Sequence, residues 1–348
     1  NHLCSRREVA CFPIISVLYW MLHFLKAALW KLGGSRGRFA GVSRPFAGIA
    51  HSTFPWAVTV IADGYRVKLQ QDGLQYSVKT NEKLLPNYLI SLLARLWQEE
   101  GYQVTVGHTF SLDADIGILH VNRTLVPARC LPDNPGGHLL LNASVLDISK
   151  KHISGNLLGP DSNYSGPVIV KTDANSFGWP ERAALSGWML RRFYQFLGYA
   201  VSWRLTRNLF SANYPVLDSL QCVPGWVWQR NDLVVEKFLP EREGNKFVLR
   251  IWIFFGDREY GVRMFSDHPV VKAQGIKHYE YTDFVPEAIR EARRKLGMDF
   301  GKIDYVMVNG EAVLLDVNKT PTIRITRSPN PRHRQLASGL AGYLERRR

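Results

Sequence analysis

The pattern of apolar and polar positions predicts a small α/β unit in the first half of the chain. Leucine and tryptophan share one helical stripe from Leu84 to Glu100, and Gly101 follows as a stop residue. Strands are predicted at 56–61, 103–106 and 116–121, and a hairpin at 66–70 and 75–78 around Asp72-Gly73. A helix between such strands indicates parallel pairing.

The second half is predicted to be richer in strands. A short amphipathic helix is expected at 146–153, and another from Val285 to Leu296, capped by Thr282 or Asp283 and ended by Gly297. Strands are predicted at 168–171, 233–239, 247–255, 259–265, 302–308 and 312–317, the last two around Asn309-Gly310. The turn-rich segment 161–166 favours a domain boundary between 145 and 165.

Composition indicates a globular protein whose charge lies at its ends. The 348 residues are 46% hydrophobic and 21% charged, which excludes collagen-like and largely disordered classes. The net charge is +14, but residues 1–50 and 322–348 each carry seven basic residues and one acid. The body between them is nearly neutral, so we expect no specific nucleic-acid partner. The basic segment 326–348 is expected to be a loosely ordered tail with a short helix at 335–344.

The cysteines and histidines show no metal-binding pattern. The four cysteines form no CxxC pair, and no histidine has zinc-site spacing. We therefore expect reduced thiols and a cytoplasmic protein.

An uncharged apolar run of 17 residues, Val9 to Leu25, lies within an N-terminal extension and linker at 1–50. Three interpretations stay open: a helix on a membrane surface involving residues 9–31, an extra helix packed on the body, or non-native leader sequence. Membrane association is therefore one alternative for this protein.

Two aspartates and an asparagine near the last hairpin are candidate metal ligands. Carboxylate and amide oxygens suit Mg²⁺, and Asp316 and Asn318 share one face of their strand. A two-residue turn would set Asp304 opposite Leu315 and thus place the two aspartates on opposite faces. A three-residue loop with a left-handed Gly310 would bring them to one face, so the metal hypothesis requires the bulged turn.

Four segments in chain order carry a family resemblance: VIVKTDANSFGWPE, VVEKFLPE, FVLRIWIFFGD and IDYVMVNGEAVLLDVNKTP. Their order and spacing resemble the ATP-grasp superfamily, which includes biotin carboxylase and D-alanine–D-alanine ligase. The resemblance covers 146–325 and implies the ATP-grasp fold of two α+β subdomains. Residues 51–145 are similar to the small α/β domain that precedes this fold.

The resemblance implies a site for ATP. Lys171 would hold the phosphates, Lys150 would be a second phosphate lysine with Lys151 as its alternative, and Arg250 would face the γ-phosphate or acyl-phosphate. Lys171 and Arg250 are therefore the implied catalytic residues. The remaining implied ligands are Glu236, Lys237 and Leu239 at the adenine, Glu243 at the ribose, and Asp304, Asp316 and Asn318 at Mg²⁺ (or Mn²⁺).

The implied activity is that of an ATP- and Mg-dependent ligase. It would activate a small-molecule or peptide carboxylate as an acyl-phosphate for attack by an amine or another nucleophile. The loop after Lys171 departs from the glycine-rich pattern common in the family, because it holds one glycine, Gly178, and the aromatics Phe177 and Trp179. Two alternatives stay open: an ATP-dependent kinase, and a non-catalytic nucleotide-binding or membrane-peripheral protein.

Overall fold

A parallel sheet with one long helix forms the first unit. The computed structural model describes residues 75–80, 86–107, 116–131, 139–183, 201–209, 214–323 and 330–345. The elements of the first unit are β1 (Gln75–Thr80), α1 (Leu89–Glu99), β2 (Gln103–Gly107), β3 (Ile116–His120) and β4 (Leu139–Leu141). The strands pair in parallel in the order β2-β1-β3-β4, so the predicted α/β layer is confirmed.

The hairpin predicted for the first unit is wrong. Both edges of β1 are occupied by parallel strands, β2 on one side and β3 on the other. No edge of β1 is therefore left for an antiparallel partner at 66–70. Residues 66–70 and the strand predicted at 56–61 lie outside the described residues.

A small antiparallel sheet forms the second unit. Its strands are β5 (Leu157–Leu158), β6 (Val168–Thr172), β7 (Val216–Leu217) and β8 (Leu233–Lys237), in the order β5-β8-β6-β7. The short helices described beside it are α2 (Lys150–Ile153), α3 (Trp179–Ala183), α4 (Trp203–Thr206) and α5 (Gly225–Trp228). Two predicted elements are shorter than expected, since the helix begins at Lys150 and β8 ends at Lys237.

A larger antiparallel sheet forms the third unit. Its elements are β9 (Glu241–Glu243), β10 (Lys246–Phe255), β11 (Arg258–Ser266), β12 (Ile276–Thr282), α6 (Glu287–Leu296), β13 (Phe300–Val308) and β14 (Glu311–Asn318). The order is β12-β11-β10-β13-β14, with β9 also paired to β10. The N-cap of α6 is Pro286 and makes no side-chain cap, so the cap predicted at Thr282 or Asp283 is wrong. Gly297 ends the helix with a φ of 62°, as predicted.

The bulge that sets the pairing register of the last hairpin does not lie where the sequence predicted it. Val308 pairs with Glu311 across a two-residue turn in which Asn309 and Gly310 have positive φ. The expected bulged turn is therefore wrong. The register shifts instead inside β14, where Leu315 is the extra residue between two ladder pairs. This bulge sets Asp304 directly opposite Asp316.

Residues 330–345 of the C-terminal segment are packed and not loosely ordered. Helices α7 (Pro331–Ser338) and α8 (Ala341–Glu345) follow the third sheet. Leu336 is fully buried in the core that α1 shares with β10 and β11, and the indole of Trp97 donates a hydrogen bond to Ala337 O at 2.8 Å. The segment thus ties the first unit to the third.

The membrane alternative and the expected reduced thiols concern the N-terminal run and the cysteines. The apolar run at 9–25 lies outside the described residues, and none of the helices described above has the length and apolar character of a membrane span. Cys130 is a free thiol, whereas Cys222 is disulfide-bonded. The expectation of reduced thiols therefore holds for Cys130 and fails for Cys222.

Candidate functional site

One face of the β13–β14 hairpin carries four polar side chains. Asp304 pairs with Asp316, and Lys302 pairs with Asn318 two residues away. Directly paired residues and residues two apart share one face of a sheet, so these four form a rectangle, which we call the hairpin face.

Each carboxylate of the hairpin face has an ammonium beside it. Lys302 Nζ donates to Asp304 Oδ2 at 3.0 Å, and Lys150 Nζ lies 3.4 Å from Asp316 Oδ1. Burial opposes the charge of Lys302 but Asp304 outweighs it, so the pKa of Lys302 is raised. Burial likewise raises the pKa of Asp304 against the opposing effect of Lys302.

Lys150 and Lys151 have different surroundings. Lys150 is 2% exposed, and although burial opposes its charge, Asp316, Tyr214 and Glu236 raise its pKa. Lys151 is exposed, and its Nζ donates to Asn231 O at 2.7 Å. The structure therefore brings Lys150, and not Lys151, to the carboxylates.

A second buried ion pair lies in the small sheet. Lys171 Nζ is 2.5 Å from Glu236 Oε2, and both side chains are buried. The other oxygen, Glu236 Oε1, is buried and accepts no hydrogen bond from the described residues. Since Lys150 interacts with both Glu236 and Asp316, it links this pair to the hairpin face.

The segment after β8 leaves one backbone donor for a ligand. Lys237 N donates to Asn156 O at 3.0 Å, and Phe238 N donates to Pro167 O at 2.9 Å. Leu239 N donates to no carbonyl of the described residues. Leu239 is therefore the best placed of the three to donate to a purine edge.

The structure does not bring Arg250 or Glu243 to the hairpin face. Ile251 pairs with Asp304 and Arg250 with Tyr305, so the Arg250 side chain lies on the opposite face of the large sheet. There its Nε and Nη2 donate to Glu241, and this hydrogen bonding raises the arginine pKa. Glu243 is exposed and bound to Arg263.

The loop after β6 has a constrained backbone. Ser176 and Phe177 have φ values of 49° and 59°, and Gly178 follows with a φ of 68°. The Phe177 ring stacks on Tyr214 at 4.3 Å, and Lys272 Nζ lies 5.1 Å from the Phe177 centroid. The stack on Tyr214 and the Lys272 ammonium hold the Phe177 ring in this position.

Sequence reasoning missed Lys302, Tyr214 and Glu241. Lys302 had a usable signal, because a residue two positions before Asp304 on a strand must share its face. Tyr214 lies more than 40 residues from Lys171 along the chain and belongs to none of the four motif segments. Only the tertiary structure brings its side chain close enough to Lys150, Asp316 and Glu236 for their charges to affect the tyrosine pKa.

The hairpin face fits a magnesium ion bound together with phosphate. Among the described residues, no group of three or more His, Cys, Asp or Glu side chains is arranged to hold a metal by itself. Mg²⁺ typically takes one or two carboxylates and completes its shell with substrate phosphates and water. Both oxygens of Asp304 lie 3.0 Å from Lys302 Nζ, so a metal ion would share this carboxylate with the Lys302 ammonium. Asn318 Oδ1 accepts from Thr320 N at 2.8 Å, which holds the amide oxygen in place.

Comparisons with known proteins found structural likeness without sequence matches. No protein-family model and no curated protein matches the sequence. The chain is similar to the ATP-grasp ligase PsnB complexed with a minimal precursor, at 11% identity and a TM-score of 0.47, over 77% of this chain and 98% of that one. It is also similar to macrocyclase MdnC of Microcystis aeruginosa bound with precursor peptide MdnA, at 12% identity and a TM-score of 0.41, over 77% and 99% of the chains.

A third similar structure is D-alanine–D-alanine ligase from Bacillus anthracis complexed with ATP. The identity is 12% and the TM-score 0.38, over 78% of this chain and 97% of that one. Because all these identities and TM-scores are low, we base the functional proposal on contacts within this chain.

Proposed function

We propose that the chain binds Mg-ATP between the small sheet and the hairpin face and acts as an ATP-dependent carboxylate ligase. The observation that carries the proposal is the convergence of two buried lysines with two carboxylates, one of which, Glu236, keeps a buried oxygen that accepts no hydrogen bond from the described residues. Lys150 lies 3.4 Å from Asp316, and Lys171 lies 2.5 Å from Glu236. Leaving such an oxygen unpaired in a buried place is costly unless a ligand joins it.

In the proposed complex, Lys171 and Lys150 contact phosphate oxygens. Leu239 N donates to the purine, and Glu236 and Lys237 flank it. Contact between Glu243 and the ribose would require the ion pair of Glu243 with Arg263 to break. Arg250 is better explained as the structural partner of Glu241 than as a phosphate ligand, because it lies on the other face of the sheet.

The residues of the hairpin face would hold Mg²⁺: Asp304, Asp316 and Asn318. Bound there, Mg²⁺ (or Mn²⁺) neutralises charge on the transferred phosphoryl group. The buried lysines add positive charge in a place that excludes water, where it stabilises the transition state more than it would in solvent.

The proposed reaction follows from this arrangement of charge. A substrate carboxylate attacks the γ-phosphorus, and the bond to ADP breaks as ADP leaves with the electron pair. An amine or another nucleophile then displaces phosphate from the acyl-phosphate. The substrates are proposed as a class only: a small molecule or peptide with a carboxylate, and an amine.

The test is thermal unfolding with and without Mg-ATP, on the wild type and on Asp316→Ala/Asn318→Ala. At about 100 times the dissociation constant, ligand adds ~2.7 kcal/mol of stability. We expect a shift in wild-type Tm that disappears in the double variant. Glu311→Ala is the matched control, because this exposed residue of the same strand lies at the turn end. No shift in folded wild type at millimolar Mg-ATP would contradict the proposal.

A second candidate is nucleotide binding without turnover. The stack of Phe177 on Tyr214 favours it, because a loop held in a left-handed backbone conformation is hindered from cycling. Phosphate release that depends on an added carboxylate and amine separates a ligase from this candidate. A phosphorylated product without amide formation would instead indicate a kinase.

A further inference from the structure

A row of apolar side chains crosses the large sheet on the same side as the hairpin face. Asp304 pairs with Ile251 on β10, so these two side chains share one face of the sheet. Leu249 lies two residues before Ile251 and is on that face as well. It pairs with Met264 on β11, which pairs in turn with Tyr279 on β12. We call Ile251, Leu249, Met264 and Tyr279 the apolar strip.

The apolar strip becomes more exposed with distance from Asp304. Ile251 is 6% exposed, Leu249 and Met264 are half-buried, and Tyr279 is 58% exposed. Tyr279 belongs to β12, which is the last strand in the order of this sheet. The strip therefore leads from the proposed magnesium site to the outer edge of the sheet.

Helix α7 borders the strip on one side. Tyr281, the next residue of β12 on this face, accepts a hydrogen bond from Asn330 Nδ2 at 2.6 Å, and the Arg332 guanidinium lies 4.2 Å from its ring centroid. The Tyr279 ring meets that of Tyr281 edge-on, with 5.7 Å between their centroids, and stays mostly exposed. The start of α7 thus covers Tyr281 and leaves Tyr279 open to a ligand.

The strip itself is uncharged, whereas a cation lies at its inner end. Lys302 is on the same face, two residues before Asp304, and its side chain is 24% exposed. Because an ammonium has three N–H donors, Lys302 can bind an anionic oxygen in addition to Asp304. A ligand that complements this arrangement has a negative group at one end and an apolar body.

The length of the strip limits the length of that body. Three strand spacings separate β13 from β12, which is roughly 14 Å. An extended chain of about ten methylene groups covers this distance. Met264 lies midway, and its flexible thioether side chain adapts to apolar ligands of different shape.

We propose that the apolar strip binds the hydrocarbon chain of the carboxylate substrate, with the carboxylate itself at the hairpin face. The inference rests on the ligase function proposed above and names its substrate class: a carboxylate with an elongated apolar chain. Continuity of the strip with the hairpin face and the single cation at its inner end carry the inference.

The test measures binding of straight-chain carboxylates by isothermal titration calorimetry, from acetate to decanoate, with Mg²⁺ and a non-hydrolysable ATP analogue present. We expect the affinity of the wild type to rise about fourfold for each added methylene. 1-Octanol has the chain of octanoate without its charge, and it should bind about tenfold more weakly than octanoate.

Met264→Gln keeps the length of the side chain and makes the middle of the strip polar. Its affinity for octanoate should fall about tenfold, while that for acetate should stay unchanged. Met264→Leu stays apolar and should bind octanoate as the wild type does. Met307→Gln is the matched control, because Met307 is also half-buried but lies on the opposite face of the sheet, and it should match the wild type. Circular dichroism shows that each variant is folded.

An affinity that does not depend on chain length, or an equal loss in folded Met264→Gln and Met307→Gln, would overturn the inference and leave the proposed function intact. Phosphatidylcholine vesicles that bind the wild type but not Met264→Gln, without binding of free carboxylates, would assign the strip to a membrane surface and also overturn it. Failure of the ATP analogue to bind the folded wild type would overturn the proposed function together with the inference.

Discussion

Two buried ion pairs flank the segment 238–240, and they differ in how completely their carboxylates are satisfied. Glu241 Oε1 accepts from Nε and Nη2 of Arg250, and Oε2 accepts from Arg250 Nε and from Met307 N. Glu236 contacts Lys171 through Oε2 only, and its buried Oε1 accepts no hydrogen bond from the described residues.

This difference distinguishes an ion pair that stabilises the fold from one that is expected to contact a ligand. A carboxylate whose oxygens all accept hydrogen bonds has no capacity left for a ligand, so the Arg250–Glu241 pair is expected to stabilise the fold. A carboxylate with an unpaired buried oxygen is costly in the free protein, so the Lys171–Glu236 pair is expected to act with a ligand. The predictions below test this division.

The largest effect is expected for Glu241→Ala. This change leaves the Arg250 guanidinium without its partner in a partly buried place and removes the acceptor of Met307 N. We expect the free energy of unfolding to fall by about 3–5 kcal/mol. Urea denaturation measures it.

Glu280→Ala is the control for this prediction. Glu280 is exposed and pairs with Arg263, so its removal should cost at most about 1 kcal/mol. Equal losses of unfolding free energy for Glu280→Ala and Glu241→Ala would show that a fully hydrogen-bonded carboxylate stabilises the fold no more than an exposed one.

His120 is a third buried polar group, and it has neither a hydrogen-bond partner for its ring nor a counterion among the described residues. Its side chain is fully buried, both ring nitrogens are without partners among the described residues, and burial, reinforced by Lys319, lowers its pKa from 6.5 to about 3. The unfolded chain therefore binds the proton more readily than the folded one. Stability is fully present above about pH 6.5 and falls as the pH decreases towards 3.

Acid unfolding of wild type against His120→Gln tests this prediction. Glutamine does not titrate, so the stability of wild type relative to the variant should fall by about 1.4 kcal/mol per pH unit between pH 6.5 and pH 4.5. His152→Gln, at an exposed position, should follow the wild type. A constant difference between wild type and His120→Gln over this range would contradict the neutral buried state of His120.

The sequence allowed prediction of the elements whose signals are local. The amphipathic stripe of α1, the long strands β10 and β11, and the Asn309-Gly310 turn all have such signals, and the structure contains them. The sequence analysis placed Asp304 and Asp316 on one face by assuming a bulged turn. In the structure the bulge lies at Leu315, and it depends on sheet twist and packing and has no residue signature.

The partners of charged residues could not be predicted from sequence. Glu241 on β9 is the partner of Arg250 because a tight turn brings β9 beside β10, and no sequence motif marks this pairing. Tertiary contacts determine which buried lysine pairs with which carboxylate. Lys150 and Asp316, for example, are 166 residues apart in the chain.

A smaller effect is expected for Glu236→Gln. The amide keeps an acceptor for Lys171 but removes the charge, so we expect the free protein to lose about 2 kcal/mol. Mg-ATP should raise the Tm of this variant more than that of the wild type, because phosphate replaces the missing negative charge beside Lys171. A Tm shift with Mg-ATP that is smaller in folded Glu236→Gln than in the wild type would show that the Lys171–Glu236 pair stabilises the fold, as the Arg250–Glu241 pair does.

The smallest effect is expected at Phe177, where packing opposes backbone strain. Stacking on Tyr214 contributes about 0.5–1.5 kcal/mol, while a non-glycine residue at a φ of 59° costs about 1–3 kcal/mol. Phe177→Leu loses the stack and keeps the strain, whereas Phe177→Gly loses both, so Phe177→Leu should be the less stable variant. If the loop closes over nucleotide, Phe177→Gly should also release a fluorescent ATP analogue faster in stopped-flow measurements. A glycine variant that is less stable than the leucine variant would show that the aromatic ring, and not the backbone, governs this loop.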